Sequence, residues 1–498
     1  MKKVFLFLFA LSCIVFHAQA LDLVNLASGK YLGLKSISDS DKNLFGYLAL
    51  YDLGKTETNK KKNKLEYFIF DKNLNSLSSG NFESDETAIE YYPYINQDKE
   101  LIITPSYSTY DLAFDKSFYT PSDFIISLKD YQIRKKDKYD YDGTHLTPIT
   151  SSKTNRELKE QRKDGKKSSG AAFYPEIIEL DNNEVLTFEY KFDRPVFKDF
   201  YLKLFNREHQ KVWEYKFFET DVKYNFINFK IVNYDKDILI TKIVRQQESG
   251  SQYNFVVFDL KTGKILTTLP FPYERHLYIT LNSVDGAVNS KYNTDDKLTA
   301  LLRYSGDPLN FNNEGFLKLT YDKRANQLIY HEINLLNDVY PKHTDIEELK
   351  EPFDYRDLDI KSVNFLKNDD IVAVFQKIHR KNNTVSDLVA MNFGPNMDLK
   401  SVKTFPVKKN GLYLFSQYLN DRNDMVFFYG DIEGKNREKK WNLFINPFIN
   451  GQFKQEILPL TSENNFIIPY IAKEGYILLQ EFNEKEKFNK IRLERLNY

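Results

Sequence analysis

Apolar and aromatic residues in this chain occur in short runs, separated by stretches rich in Asn, Asp, Gly and Lys. Runs of this kind bounded by turn residues are typical of β-strands joined in antiparallel hairpins. The clearest example is residues 237–271, where DILITKIVRQ, YNFVVFDL and KILTTLPF predict three successive strands. Gly263 stands in the second turn and can adopt the positive φ that a tight turn requires. The pattern predicts an all-β protein.

The same three-strand phrase recurs along the chain, for example in residues 184–218 and 297–335. A repeated antiparallel unit of about 40 to 70 residues indicates a β-propeller, whose blades have about four strands each. The turn after the middle strand of each phrase is marked by Asp71, Asn206, Asp259, Asp322, Gly394, Asn446 and Asn483. Counting the phrases predicts about seven blades, or eight if the C-terminal hairpin completes a blade with the N-terminal strand. Two stacked β-sandwich domains are the alternative fold.

The N-terminus has the pattern of a secretory signal peptide. Two lysines precede the apolar stretch 4–16, and Ala18 and Ala20 are the small residues that precede a cleavage site. We therefore expect residues 1–20 to be a signal peptide and residues 21–498 to form a single exported propeller-like domain. The expected location is the periplasm or the cell surface.

The composition of the chain excludes several kinds of partner and site. The chain has 70 basic and 70 acidic residues, so charge gives no reason to expect a nucleic acid or an anionic membrane as the partner. The single cysteine, Cys13, lies in the predicted signal, which leaves no disulfide or thiolate site in the mature chain. A lipid anchor at Cys13 is a less favoured alternative, because apolar residues follow it. No later apolar stretch reaches the length of about 20 residues that spans a bilayer.

Residues 129–170 differ from the rest of the chain. They lack long apolar runs, and 12 basic residues face 7 acidic ones between positions 129 and 167. A segment this polar and this long is predicted to be an insertion that extends from the surface and is partly disordered.

The sequence contains no glycine-rich phosphate loop, GxSxG elbow or HExxH motif. The histidines after residue 20 are far apart and predict no metal site; they are His145, His209, His276, His331, His343 and His379. Two groups of acids resemble calcium loops, namely Asp137, Asp140 and Asp142, and Asp354, Asp357 and Asp359. The first lacks the closing Glu and the second contains Arg356, so solvated turn acids are the favoured interpretation. No cofactor and no catalytic residue is predicted.

Aromatic residues near prolines are the remaining candidate site. Such rings could stack on sugars or grip a peptide, although core packing of many of them is the simpler interpretation. The residues concerned are Tyr91, Tyr92, Tyr94, Phe271, Tyr273 and Tyr278.

The segments KNKLEYFIFDKNLNSLSSGNF and EGYILLQEFNEKEKFNKIRLERLNY resemble those of uncharacterised secreted β-propeller-like proteins of Bacteroidota. The resemblance implies export and a β-repeat fold, and it carries over no active residue.

We expect a non-enzymatic binding or scaffolding protein that recognises a protein, peptide or glycan on a propeller face. The alternative is a propeller-fold polysaccharide hydrolase or lyase that uses central carboxylates. An enzyme should bring two or three carboxylates within about 10 Å, one with a raised pKa. A binding protein should instead present an apolar or aromatic surface. No oligomeric state follows from the sequence.

Overall fold

The computed structural model describes most of the chain from residue 20 onward. The described residues are 20–39, 43–85, 88–107, 123–136, 139–141, 143–148, 172–180, 182–193, 196–217, 226–247, 250–271, 276–278, 282–283, 286–287, 291–305, 315–339, 358–379, 384–407, 411–420, 424–433, 440–461, 465–483 and 489–498. The chain divides into two compact units. Unit 1 comprises Met1–Ser38, Leu44–Glu86 and Val407–Tyr498, and unit 2 comprises Asp39–Asn43 and Thr87–Pro406.

Unit 1 contains three antiparallel meanders, each a run of four strand positions. Meander 1 consists of β2 (Lys30–Ser38), β3 (Leu44–Lys55), β4 (Lys62–Asp71) and β5 (Ser76–Asp85). Meander 7 consists of β31 (Leu412–Tyr418), β32 (Met425–Glu433) and β33 (Lys440–Ile449), with β34 (Gln452–Phe453) and β35 (Glu456–Pro459) sharing the fourth position. Meander 8 consists of β36 (Asn465–Tyr470), β37 (Tyr476–Asn483), β38 (Asn489–Arg495) and β1 (Ala20–Asp22). A one-turn 3-10 helix spans Val24–Leu26.

Unit 2 contains five meanders of the same kind. Meander 2 consists of β6 (Ala88–Ile95), β7 (Glu100–Tyr107), β8 (Phe124–Ser127) and β9 (Ile133–Lys135), and meander 3 of β12 (Ala172–Glu179), β13 (Val185–Asp193), β14 (Val196–Phe205) and β15 (Lys211–Lys216). Meander 4 consists of β16 (Phe226–Tyr234), β17 (Ile238–Gln247), β18 (Gly250–Asp259) and β19 (Ile265–Phe271). In meander 5, β20 (His276–Tyr278) and β23 (Lys291–Asn293) share the first position before β24 (Lys297–Ser305), β25 (Gly315–Asp322) and β26 (Gln327–Asn334). Meander 6 consists of β27 (Leu358–Phe365), β28 (Ile371–His379), β29 (Thr384–Phe393) and β30 (Leu399–Pro406).

Three smaller elements complete unit 2. Two isolated hairpins pair β10 (Tyr139–Tyr141) with β11 (Leu146–Pro148), and β21 (Asn282–Ser283) with β22 (Gly286–Ala287). A π-helical turn spans Leu335–Val339.

Each unit builds its core between the faces of successive meanders. In unit 2, separate apolar clusters lie between meanders 3 and 4, 4 and 5, and 5 and 6. In unit 1, one cluster lies between meanders 7 and 8 and another between meanders 8 and 1. Four-stranded meanders that bury their faces against their neighbours are the organisation of a β-propeller. The predicted fold class is confirmed, with eight meanders in the described part of the chain.

The eighth meander is completed by the N-terminal strand. In β1, Leu21 pairs with Ile491 and Asp22 with Lys490 of β38. This is the arrangement that the eight-blade version of the prediction required. That residues 21–498 form one domain stays a prediction.

The polar segment 129–170 is partly built into unit 2. Its strand β9 is the fourth strand of meander 2, and its hairpin β10–β11 buries Tyr141 and Leu146 against Val185 and Phe205. This part of the segment therefore does not leave the β-structure. The predicted remainder, from residue 149 onward, lies outside the described residues.

The two ends of the meanders differ. Connections between first and second strands, and between third and fourth strands, have at most six residues, whereas every longer connection lies at the other end. Side-chain oxygens cap the short turns: the backbone N–H groups of Asn75, Gln210 and Thr262 donate to Asp71, Asn206 and Asp259 at 2.8 Å. Asp and Asn favour turns because they offer this local acceptor. The conformations of these turns are therefore determined by the local sequence.

Candidate functional site

The first strands of unit 1 expose large apolar side chains at similar positions. Leu412 is the first residue of β31, Phe466 the second of β36 and Leu32 the third of β2. Their exposed fractions are 54%, 36% and 45%. Because a first strand runs from the long-connection end to the short-turn end, all three residues lie near the long-connection end. We call these three side chains the first-strand surface.

The strands that carry this surface are anchored by their other residues. Leu414, Phe415 and Ile467 pack against the core between meanders 7 and 8, and Tyr31 and Tyr470 pack against the core between meanders 8 and 1. Part of each first strand is therefore tied to a core while one large apolar side chain stays in contact with solvent. This combination holds the exposed side chains on a rigid support.

A half-buried hydrogen-bond chain links meanders 8 and 1. The Tyr470 hydroxyl donates to Oε1 of Gln480 at 2.7 Å, and Nε2 of Gln480 donates to the Tyr31 hydroxyl at 3.0 Å. Burial raises the pKa of Tyr470 to about 12 and also raises the pKa of Tyr31. Both phenols therefore stay protonated at neutral pH, and the chain of hydrogen bonds remains intact.

The first strands of unit 1 carry no carboxylate. The sequences of β2, β31 and β36 are KYLGLKSIS, LYLFSQY and NFIIPY, and their only charged residues are Lys30 and Lys35. Lys30 is exposed and stands two positions before Leu32 in the sequence. The first-strand surface is therefore apolar and aromatic with a cation at its edge.

Carboxyl groups elsewhere in the described residues are held ionised wherever their pKa departs from the usual value. Burial raises the pKa of Glu100, but hydrogen bonds from Asn183, Asn96 and Arg134 outweigh it, so the net pKa is lowered. The same net lowering holds for Asp71, Asp130, Glu214 and Asp237. A general acid of a glycoside hydrolase needs a raised pKa, and these groups have the opposite shift.

The most buried ion pair of unit 2 fastens the β10–β11 hairpin. Nζ of Lys203 lies 2.6 Å from Oε1 of Glu189, and both side chains are less than 10% exposed. The same Nζ donates to the Tyr141 hydroxyl at 2.9 Å and to the carbonyl oxygen of Gly143 at 3.0 Å. With its donors engaged within the protein, Lys203 has a structural role.

The aromatic residues predicted from the sequence fall into different environments. Tyr91 and Phe271 are buried, so the core-packing interpretation is confirmed for them; Phe271 contacts the rings of Phe255 and Tyr330. Tyr92 is exposed and its hydroxyl donates to Glu90 at 2.5 Å, while Tyr94 is half-buried. Tyr273 and the side chain of Tyr278 lie outside the described residues.

The histidines and acid clusters do not form a site in the described part of the chain. His145 is exposed and His331 is half-buried. The rings of His209 and Tyr139 are in contact, with their centroids 4.8 Å apart. Asp359 pairs with Lys361 at 2.8 Å. Outside the description lie the side chains of Asp140, His276 and His379, and residues Asp137, Asp142, His343, Asp354 and Asp357. Within the described residues no group of three His, Cys, Asp or Glu side chains could hold a metal.

The residues of the first-strand surface were missed by sequence reasoning. The available signal was the absence of any acid from GLYLFSQY and NFIIPY, two apolar stretches that precede recognised strands. No helix in the described residues is long and apolar enough to cross a membrane.

No family model matches the chain, and no curated protein matches it. Solved structures show a distant likeness. The WD40 domain of SCAP from fission yeast is 8% identical, with 97% of this chain and 98% of that chain covered and a TM-score of 0.37. The β-propeller domain of the Trilobed protease from Pyrococcus furiosus is 11% identical, with 88% and 98% covered and a TM-score of 0.33. Likeness at this level carries no argument about function.

Proposed function

We propose that the protein is an exported, non-enzymatic binding protein that recognises an apolar segment of a peptide or protein through the first-strand surface. The observation that carries the proposal is the exposure of Leu412, Phe466 and Leu32 at similar positions in three meanders of unit 1. Single exposed apolar residues are ordinary, but three large ones near the same end of three first strands indicate an interaction site.

The chemistry of the surface favours a peptide over a glycan. Sugar binding combines an aromatic face with polar groups that hydrogen-bond to hydroxyls, whereas Leu412 and Leu32 offer neither. Apolar side chains of a partner would instead be removed from water against all three residues, with a gain of about 25 cal/mol per Å² of apolar surface buried. Lys30, exposed near the start of the same strand as Leu32, favours a partner segment that also has a carboxylate.

The hydrolase or lyase alternative is less well supported. It needs convergent carboxylates with one raised pKa, and the first strands of unit 1 contain no acid. Export is part of the proposal because it rests on the signal-like residues 1–20 alone.

Site-specific photo-cross-linking in cells tests the proposal. A photoreactive phenylalanine analogue is placed at Leu412 or at Phe466, and a matched control carries it at Ile329, which is 40% exposed on the outer strand β26. We expect a discrete adduct from the first two positions, absent from the control, that mass spectrometry assigns to an apolar peptide segment of the partner. Cell fractionation of the same samples locates the protein.

Binding of the identified segment, made as a synthetic peptide, is then measured by calorimetry. Leu412→Asp and Phe466→Asp should each weaken binding at least about tenfold, equivalent to about 1.4 kcal/mol, and Ile329→Asp should leave it unchanged. An adduct on a saccharide, no adduct from either position, or equal loss in the control variant would each contradict the proposal.

A further inference from the structure

Unit 1 contains a cleft at the short-turn end, away from the first-strand surface. It lies between Leu419, Asn420 and Asp424, the β36–β37 turn and the segment that follows β38, with a volume of about 400 Å³. This volume falls in the range of small-molecule sites, about 300 to 1,000 Å³. Its polar lining includes Asp424, Glu474, Arg495, Tyr476 and Tyr498.

Charges of both signs line the cleft. Within the described residues, neither the guanidinium of Arg495 nor the carboxylate of Glu474 has a hydrogen-bond or ion-pair partner. Asp424 adds a second carboxylate, which accepts a hydrogen bond from Nδ2 of Asn420 at 2.8 Å. The side chains of the cleft thus offer one guanidinium and two carboxylates.

The walls of the cleft are fixed by backbone contacts. The N–H of Leu496 donates to the carbonyl oxygen of Gly475 at 2.8 Å, which ties the segment after β38 to the β36–β37 turn. Gly475 has a φ of 76°, and the N–H of Tyr476 donates to the carbonyl oxygen of Lys473 at 3.0 Å. Gln417 of β31 donates through Nε2 to the carbonyl oxygen of Tyr476. These hydrogen bonds fix the backbone that carries Glu474 and Arg495.

We propose that this cleft binds a small zwitterion that has both an ammonium and a carboxylate group, such as a free amino acid or a dipeptide. The ligand carboxylate pairs with Arg495, since a guanidinium binds a carboxylate through two parallel hydrogen bonds. The ligand ammonium lies at Glu474 and Asp424. This site is separate from the proposed peptide-binding surface and does not rest on it.

The lining argues against other ligand classes. Arg495 and Glu474 are both exposed, and a neutral sugar would gain no ion pair from either of them. A phosphate would be repelled by the two carboxylates. A zwitterion matches both signs, and the rings of Tyr476 and Tyr498 can cover its apolar part.

Calorimetry with glycylglycine tests the proposal, with N-acetylglycylglycine and glycylglycine amide as probes that each lack one charge. We expect glycylglycine to bind saturably with a Kd of about 1 mM, and each single-charge probe about tenfold more weakly. Arg495→Gln and Glu474→Gln should each weaken glycylglycine binding about tenfold. The matched controls Arg324→Gln and Glu208→Gln, at exposed positions of unit 2, should not change it.

Each variant is also tested with the probe that lacks the charge which the mutated residue would bind. Arg495→Gln should not weaken the amide further, and Glu474→Gln should not weaken the acetylated probe further, because each variant removes a contact that the probe cannot make. The proposal is overturned if glycylglycine shows no saturable binding up to about 20 mM, if the acetylated probe binds equally well, or if glucose binds as tightly. Circular dichroism confirms that the variants are folded.

Discussion

Replacing Gly263 by alanine should strongly destabilise the contact between meanders 3 and 4. Gly263 lies in the turn between β18 and β19 with a φ of 69°. An added Cβ would lie 2.6 Å from Cδ2 of Trp213, which belongs to meander 3. The indole cannot easily retreat, because Trp213 is 7% exposed and its Nε1 donates to the carbonyl oxygen of Leu260 at 2.6 Å.

The expected loss has two parts. A residue with a Cβ pays about 1–2 kcal/mol in the left-handed region, where Gly263 lies. Carbon atoms pack at about 3.5–4.0 Å, so the new methyl group would be roughly 1 Å too close to Trp213, and overpacking of this kind costs about 1–3 kcal/mol. The Gly263→Ala variant should therefore lose about 2–5 kcal/mol of unfolding free energy.

Gly451→Ala is the matched control. Gly451 has a φ of 78°, but a Cβ there would meet no atom within 4 Å. This variant should show only the backbone part, about 1–2 kcal/mol. Urea unfolding followed by circular dichroism gives the total effect of each variant, and hydrogen exchange of the β18 and β19 amides shows whether the loss at Gly263 is local.

A double-mutant cycle isolates the steric part. Adding Trp213→Leu to Gly263→Ala should cost less than the two single losses together, with a coupling of about 0.5–3 kcal/mol. If Gly263→Ala and Gly451→Ala are equally destabilising within about 0.5 kcal/mol, the indole of Trp213 moves away from the new methyl group without a measurable cost. The steric argument is then refuted.

Two further substitutions test buried charges in unit 2. Lys203→Met should destabilise the protein by about 3–5 kcal/mol, because it leaves the Glu189 carboxylate buried without its cation. Thermal unfolding should show that the double variant with Glu189→Leu recovers most of this loss. If there is no recovery, the ion-pair argument is contradicted. Glu100→Gln should cost about 1–2 kcal/mol at pH 7, because the Glu100 carboxylate accepts hydrogen bonds from Asn183 and Arg134. Since the pKa of Glu100 is lowered in the folded state, this stabilisation is present above the unfolded pKa of about 4.3 and is lost as the pH falls through the folded value. Urea unfolding between pH 3 and pH 7 should therefore show that the difference in unfolding free energy between the original protein and the variant vanishes at the acid end. A difference that stays constant with pH would refute this argument.

The second, third and fourth strands of most meanders could be predicted from the sequence, whereas the first strands could not. Period-two alternation and a tight turn made segments such as β17 to β19 recognisable. First strands carry irregularities of register that break the alternation: the shifts fall between Tyr31 and Gly33, Ile231 and Asn233, Ile360 and Ser362, and Tyr413 and Phe415. A bulge moves every later side chain to the other face, so the periodic signal is lost.

Turn residues could be predicted only where their side chains cap a turn. Asp71, Asn206 and Asp259 stand at turns between third and fourth strands, as expected. The expectation was wrong for Asn446, which lies inside β33 and is fully buried. There its Nδ2 donates to the carbonyl oxygen of Phe427 at 3.2 Å and its Oδ1 accepts from Gln455 at 2.9 Å. Neighbours distant in sequence satisfied its amide, and no local pattern reveals them.

The first-strand surface shows why exposure is harder to predict than strand formation. Continuous apolar runs such as LYLF in β31 and FII in β36 predict strands that are buried on both faces. In the described structure β31 and β36 each pair with one neighbouring strand, and β36 has in addition a single bridge between Phe466 and Thr461. Both are therefore edge strands, and part of their apolar surface meets solvent. An apolar run at an edge costs solubility and is usually blunted by charge or proline. Strand β36 has Pro469 three positions after Phe466, whereas β31 has neither a charge nor a proline beside Leu412. Exposure of such side chains is what the proposed binding of an apolar segment requires, and the sequence alone does not reveal it.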